Sequence, residues 1–140
     1  MNNSFHGDMP EAIILCGGKG ERLRPVTNKI PKPLVKLNDK PILHYVIEHL
    51  LKYDITNIHV ASGYKSNILK KYFSTHHYDA AIKLYDSGDV DIIKRIQDIL
   101  MVVHNDVLIL YGDTISNVDI NDLVLSHRHS SKKVTMLSIP

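Results

Sequence analysis

Apolar runs and amphipathic stretches alternate along this chain of 140 residues. Short apolar runs, of the length expected for buried strands, lie at 12–15, 57–61, 80–85 and 107–111. Between and after them, apolar residues recur at helical spacing over 42–52, 64–73, 91–100 and 119–127. A last strand is predicted over 134–139. Strands and helices in alternation predict an α/β fold, a three-layer α/β/α Rossmann-like sandwich with a mostly parallel sheet.

The longest segment with neither pattern follows the first predicted strand directly and reads CGGKGERLRPVTNKIPKPL. Open α/β sheets bind their ligands at the carboxyl ends of strands, which is where this segment begins. Gly17, Gly18 and Gly20 let backbone N–H groups approach an anion. Arg22 offers a fork of donors and Lys32 a mobile point charge, and both suit phosphate oxygens. The segment therefore predicts a polyphosphate site.

Two familiar glycine motifs do not explain this segment. The Walker A pattern G-x-x-x-x-G-K-[ST] is absent, and the dinucleotide pattern G-x-G-x-x-G fails because Leu23 stands at its last position. The glycines alone favour a loose surface loop. The basic residues, together with prolines that exclude a helix and stiffen the chain around Lys32, favour the phosphate site instead.

A carboxylate follows the predicted strand 107–111. Asp113 lies just beyond Gly112, so it is expected to point into the same crevice as the glycine segment. A carboxylate beside a triphosphate requires a cation between them, and Mg²⁺ is the ion that one or two carboxylates and phosphates hold. Asp113 is therefore the predicted metal ligand. The alternative is a residue that only caps the turn after the strand.

Composition excludes several classes of function. The chain has 17 basic and 15 acidic side chains and a formal charge of +2, so no basic field indicates nucleic-acid binding. No apolar run approaches the ~20 residues of a membrane span. The single cysteine, Cys16, cannot form an internal disulfide, which favours a cytoplasmic compartment. Its place at a strand end favours a buried residue over a nucleophile.

The stretch GGKGERLRPVTNKIPKPLVKLNDKPILHYVIEHL resembles the opening signature of the sugar-1-phosphate nucleotidylyltransferases, G-G-x-G-x-R-L-x-P-x-T followed by P-K-P-L and K-P. The resemblance implies an enzyme that joins a nucleoside triphosphate to a phosphorylated sugar or related small phosphate and releases pyrophosphate, for nucleotide-sugar and surface polysaccharide biosynthesis. It implies catalytic roles for Arg22 and Lys32, with Mg²⁺ on Asp113. The nucleotide-binding positions that it implies are Cys16, Gly17, Gly18, Gly20, Asp86, Gly88 and Gly112.

The segment IKLYDSGDVDIIKRIQDI bears on the base of the triphosphate. The family's common L-G-T-x-G motif is missing there. Asp86-Ser87-Gly88 followed by Lys94-Arg95 resembles the glucose-1-phosphate cytidylyltransferase-like branch, in which D-T-G precedes R-[LI]-K-R. CTP is therefore the predicted triphosphate. Lys94 and Arg95 are equally compatible with the solvated face of a helix.

The resemblance covers nearly the whole chain but only roughly the first half of the family's domain. Residues 1–10 are expected to form a flexible tail, and 11–140 the nucleotide-binding half of such a domain. Two interpretations stay open: a truncated part of an enzyme, or a non-catalytic nucleotide-binding module that needs further chain or a partner. Truncation exposes apolar surface, so a homo-oligomer is a further expectation.

Overall fold

Six strands and four α-helices make up residues 8–138, the part of the chain that the computed structural model describes. The strands are β1 (Glu11–Leu15), β2 (Lys36–Leu37), β3 (Lys40–Pro41), β4 (Asn57–Ser62), β5 (Ala81–Asp86) and β6 (Val107–Tyr111). The α-helices are α1 (Ile42–Leu51), α2 (Ser66–Thr75), α3 (Ile92–Leu100) and α4 (Ile120–His129). The alternation predicted from the sequence is confirmed, and the bounds of these predicted elements differ by at most two residues at an end.

The central sheet contains four parallel strands in the order β5-β4-β1-β6, and β2 and β3 form a separate antiparallel pair. Each crossover between neighbouring parallel strands carries a helix, as a parallel sheet requires. The chain turns back from β5 to the far side of β1 and forms β6 there, so β1 and β4 are central and β5 and β6 are edges. All four carboxyl ends meet at one edge of the sheet, which is where a ligand site is expected.

The two faces of the sheet are covered unequally. One face packs on α1, α2 and α4 through the larger core, in which Ile14 and Val60 are buried. The other face packs on α3, where Ile13 contacts the buried Ile99. Ile109 of β6 lies beside Ile13 in register, and it is 43% exposed. The second face is therefore a thinner layer that leaves β6 partly uncovered.

Helix starts follow the capping rules read from the sequence. The Asp119 carboxylate accepts a hydrogen bond from the Asp122 N–H and begins α4, as predicted, and Asp91 caps α3 in the same way through the Lys94 N–H. None of the helices within residues 8–138 has the length and apolar character that a bilayer crossing needs.

The strand predicted over 134–139 is wrong for residues 134–138, which form no strand, and residue 139 lies outside the described part of the chain. Val134 and Met136 are exposed, and the Thr135 hydroxyl pairs with the His127 ring at 2.9 Å. Alternating apolar residues make a strand only where a sheet edge satisfies their backbone groups. The predicted tail falls mostly on residues 1–7, which also lie outside the described residues.

Candidate functional site

A cavity of about 460 Å³ lies at the carboxyl edge of the sheet. Leu15, Ala61 and Tyr111, near the ends of β1, β4 and β6, form part of its lining. Most of the site residues predicted from the sequence also line it: Cys16, Gly17, Gly18, Gly20, Arg22, Lys32 and Asp113. Asp86, Gly88 and Gly112 do not line it. The fold thus brings two distant segments, the glycine segment and the turn after β6, to one crevice.

The glycine segment is folded into turns and not loose. Three short 3-10 helices, Glu21–Leu23, Val26–Asn28 and Lys32–Leu34, divide it, so the prolines exclude a long helix as predicted but allow single turns. The buried Thr27 donates a hydrogen bond to the Gly20 carbonyl at 2.8 Å, and its own carbonyl accepts one from the Tyr64 hydroxyl at 3.0 Å. These bonds fix the segment against the turn that follows β4.

Gly20 has a backbone conformation in the left-handed region. Its φ is 62°, and a Cβ there would lie 2.9 Å from the Thr27 methyl carbon. Any other residue at this position would strain the turn that leads into Arg22. The conformation of the glycine segment therefore depends on this residue.

Lys32 and Asp113 form an ion pair inside the cavity. The Lys32 ammonium lies 2.5 Å from the Asp113 carboxylate, and the two side chains are 32% and 22% exposed. Lys32 begins a 3-10 turn between two prolines, and Asp113 follows β6, so stiff backbone holds both charges in position. The two charges neutralise each other at the place where phosphate and metal are predicted to bind.

The donor set around Asp113 fits Mg²⁺ as a partner of a bound triphosphate. Residues 8–138 contain no group of three or more His, Cys, Asp or Glu side chains that could hold a metal ion by themselves. Mg²⁺ commonly binds through one or two carboxylates, with phosphate oxygens and waters as the other ligands. Asp113 can supply that single carboxylate. Glu21 also lines the cavity but pairs with Arg24 at 3.3 Å.

Cys16 is buried, as predicted. Only 1% of the residue is exposed, and its sulfur packs so closely on Gly112 that a Cβ there would lie 2.4 Å away. Burial, and then the negative charge of Asp113, raise the pKa of the Cys16 thiol well above its ordinary range. A neutral thiol is a poor nucleophile, so Cys16 closes the floor of the cavity and Gly112 lets β6 approach it.

Lys94 and Arg95, which the sequence left unresolved, have different environments. The exposed Lys94 pairs with Asp98 at 2.5 Å on the solvent face of α3. Arg95 is only 8% exposed and lines the cavity. Its Nη2 donates to the Gly88 carbonyl at 3.0 Å, and its buried Nε has no hydrogen-bond partner among residues 8–138.

A sequence signal for Arg95 existed and was missed. Helical spacing places Arg95 one turn before Ile99, which is fully buried, so Arg95 belongs to the inward face of α3. Lys94 and Arg95 are adjacent in sequence but lie on different faces of α3.

Asp86 and Gly88 shape the turn after β5. The Asp86 carboxylate accepts the Gly88 N–H at 3.0 Å, and Gly88 has a φ of 70°. This turn presents the Gly88 carbonyl to Arg95. Direct contact of Asp86 or Gly88 with a nucleotide stays a prediction.

Comparison with known proteins shows the family of this chain. A family model described as "Nucleotidyl transferase" matches residues 11–140. Among curated proteins, the chain is 36% identical over 117 residues to D-glycero-alpha-D-manno-heptose 1-phosphate guanylyltransferase of Campylobacter jejuni, a match that covers 83% of this chain and 53% of that protein. It is 28% identical over 152 residues to the probable glucose-1-phosphate cytidylyltransferase of Bacillus subtilis, covering 92% and 60%.

Solved structures show the same fold. HddC from Yersinia pseudotuberculosis, complexed with GMP-PN, superposes with a TM-score of 0.75 at 24% identity, over 84% of this chain and 54% of that one. A putative glucose-1-phosphate thymidylyltransferase from Bacillus anthracis also gives 0.75 at 24% identity, over 88% and 52%. The chain spans about half the length of these similar proteins.

Proposed function

Because this chain belongs to the nucleotidyl transferase family, we propose that it supplies the nucleotide-binding half of an enzyme that joins a nucleoside triphosphate to a phosphorylated sugar or a related small phosphate. One observation carries the proposal: Arg22, Lys32 and Asp113 line a single cavity with the glycine segment, at the carboxyl edge of a parallel sheet. Cations, a metal-binding carboxylate and accessible backbone N–H groups are the set that a triphosphate needs.

The proposed reaction is an in-line displacement. A phosphate oxygen of the acceptor forms a bond to the α-phosphorus, the bond from the α-phosphorus to the bridging oxygen breaks, and pyrophosphate leaves with that electron pair. Such chemistry requires positioning and charge neutralisation more than a nucleophilic side chain. Arg22 and Lys32 serve this purpose by stabilising the negative charge that gathers on the leaving pyrophosphate.

Asp113 has two tasks in this proposal. It keeps the Lys32 ammonium inside the cavity through their ion pair, so that the other N–H donors of Lys32 are available to phosphate oxygens. It is also the residue that would hold Mg²⁺, which supplies positive charge to the α-phosphate when bound. A carboxylate is required for both tasks, so charge at this position should matter more than shape.

For the base we propose cytosine, with guanine as the second candidate. The Asp86-Ser87-Gly88 turn and the similarity to a probable glucose-1-phosphate cytidylyltransferase support cytosine. The similarity to heptose 1-phosphate guanylyltransferases supports guanine. The names of the same relatives support a sugar 1-phosphate as the acceptor. We propose that the reaction belongs to nucleotide-sugar and surface polysaccharide biosynthesis.

Pyrophosphate release tests the proposal directly. The chain is supplied with Mg²⁺, each triphosphate and a set of sugar 1-phosphates, and the released pyrophosphate is measured. Lys32→Ala is compared with its control Lys29→Ala, and Arg22→Ala with its control Arg24→Ala. Lys29 and Arg24 belong to the same segment but do not line the cavity. We expect Lys32→Ala and Arg22→Ala to lower turnover by about 10²- to 10³-fold, the usual loss for one donor to developing charge, and the control variants to retain it.

Binding measurements separate the enzyme from a module that binds without turnover. Asp113→Asn keeps the shape of the side chain and loses its charge, so triphosphate affinity should no longer rise with added Mg²⁺. Calorimetry with and without Mg²⁺ measures this difference. Tight, Mg²⁺-dependent binding by wild type without any pyrophosphate release would favour the non-catalytic module. Equal loss of nucleoside and triphosphate binding in Lys32→Ala would show that Lys32 supports the fold and not the phosphates.

A further inference from the structure

Arg95 carries a buried charge that the protein itself leaves largely unpartnered. A guanidinium has five N–H donors. Within residues 8–138, the Arg95 guanidinium makes one hydrogen bond, to the Gly88 carbonyl, and no ion pair. Burying such a group is unfavourable unless acceptors complete its hydrogen bonds. Since Arg95 lines the cavity, a ligand bound there can supply those acceptors.

The surrounding backbone is built to admit this side chain. A Cβ on Gly17 would lie 2.3 Å from Arg95 Nη1, and a Cβ on Gly63 would lie 2.6 Å from Nη2. Glycines after β1 and after β4 therefore form a slot that any side chain would close. The sequence predicts that Gly17 contacts the nucleotide. The structure gives a second reason for a glycine there, because any side chain would collide with Arg95.

The slot and the Lys32–Asp113 pair lie at the carboxyl ends of different strands. Asp113 follows β6, whereas Gly63 follows β4, two strands away in the sheet order β5-β4-β1-β6. With neighbouring strands about 4.8 Å apart, the Gly63 side of the slot lies about 10 Å from Asp113 along the edge of the sheet. A nucleoside triphosphate with its phosphates at Lys32 and Asp113 would thus present its base, and not its phosphates, to Arg95.

We infer that Arg95 reads the base of the triphosphate and selects a base edge with two adjacent hydrogen-bond acceptors. Guanine has such an edge at O6 and N7, and cytosine at O2 and N3. An arginine, which only donates, cannot form two adjacent hydrogen bonds with adenine, because the N6 amino donor stands beside both N1 and N7. It cannot do so with uracil or thymine either, because their N3–H separates the two carbonyl oxygens. This inference rests on the proposed function, and it explains one preference shared by guanylyl and cytidylyl transfer.

Calorimetry with GTP, CTP, ATP, UTP and dTTP at fixed Mg²⁺ tests the inference on the whole chain. Wild type should bind GTP or CTP about 5- to 150-fold more tightly than ATP, which is the range expected for one bidentate contact to a base. Whichever of GTP and CTP binds more tightly identifies the base. Arg95→Lys keeps the positive charge and loses the fork, so it should remove this preference while ATP binding changes little. Lys94→Gln, its neighbour on the solvent face, should leave all five affinities unchanged.

Each other outcome contradicts a defined part of the argument. No preference in wild type, tightest binding of ATP, or a preference retained in Arg95→Lys would overturn the assignment. Equal weakening of all five triphosphates in Arg95→Lys would also overturn it and make Arg95 a phosphate contact. If the triphosphates bind through Arg22 and Lys32 but with equal affinity for all bases, this inference is wrong and the proposed function stands. If wild type binds no triphosphate, both the inference and the proposed function are wrong. Thermal melting of Arg95→Lys and Arg95→Met verifies that the variants fold. The order of the five triphosphate affinities is measured on wild type, so that part of the test does not depend on any variant.

Discussion

His59 and Arg95 are both buried polar side chains on the same face of the sheet, yet their surroundings are opposite. His59, 4% exposed, lies toward the amino end of β4, and both of its ring nitrogens are partnered: Nε2 with the Glu11 carboxylate at 2.6 Å and Nδ1 with the Tyr85 hydroxyl at 3.0 Å. The Arg95 guanidinium, at the carboxyl edge, has one hydrogen-bond partner within residues 8–138.

The contrast separates a polar group that the fold satisfies from one that we propose binds a ligand. A carboxylate only accepts, so His59 Nε2 donates to Glu11, and in the neutral ring Nδ1 then accepts from Tyr85. Burial, and then the charge of Glu11, raise the pKa of Tyr85, so this phenol stays protonated and donates. A complete network of this kind links β1, β4 and β5 and stabilises the fold. An incomplete one costs stability until a ligand binds.

The largest expected difference is in stability. His59→Leu breaks a buried pair and leaves the Glu11 carboxylate without its ring partner, so it should lower the free energy of unfolding by about 3 kcal/mol, which corresponds to a midpoint lower by about 10 °C. Arg95→Met removes a charge that has no counter-charge among residues 8–138, so it should cost no stability. Thermal melting without ligand measures both, and an Arg95→Met variant as destabilised as His59→Leu would break the comparison.

A smaller effect tests the glycine slot. Gly17→Ala places a methyl group against the Arg95 guanidinium and should lower stability by about 1–3 kcal/mol through overpacking. Gly18→Ala is the matched control: a Cβ there meets no atom within 4 Å, so a change within about 0.5 kcal/mol is expected. Combining Gly17→Ala with Arg95→Met should recover most of the loss, because the clash then disappears. Additive losses would show that Gly17 has another role.

The smallest effect is a pH dependence at the amino end. The hydrogen bond from His59 holds the pKa of Glu11 below its ordinary value of 4.5, against the opposing effect of burial. Below pH 4.5 the unfolded state therefore binds more protons than the folded state at this site. The stability that Glu11 contributes is present above that pH and is lost as the pH falls through the lowered pKa.

Denaturant titrations between pH 3 and pH 6 measure this contribution. Wild type should lose more stability on acidification than Glu11→Gln, which cannot titrate at this position. Equal acid slopes for the two proteins would mean that the Glu11–His59 pair is not linked to folding.

Elements and site segments were predictable here, whereas long-range polar contacts were not. The strand runs, the capping aspartates and the crevice residues Lys32 and Asp113 follow from local pattern and from the rule for strand ends. The Glu11–His59–Tyr85 network joins three strands, and its partners depend on the register of the sheet, which no local pattern gives. Residues 134–138 have the composition of a strand, but composition cannot say whether an edge is available to pair with them.

The Thr27 hydrogen bonds have a consequence for the thermodynamics of ligand binding. The links from Thr27 to Gly20 and from Tyr64 to Thr27 order the glycine segment as the protein folds. A segment that is ordered in advance loses little conformational entropy when a ligand arrives, so more of the contact energy is expressed as affinity. Preorganisation of this kind also predicts a modest entropic penalty of association, in contrast to a loop that must fold around its phosphates.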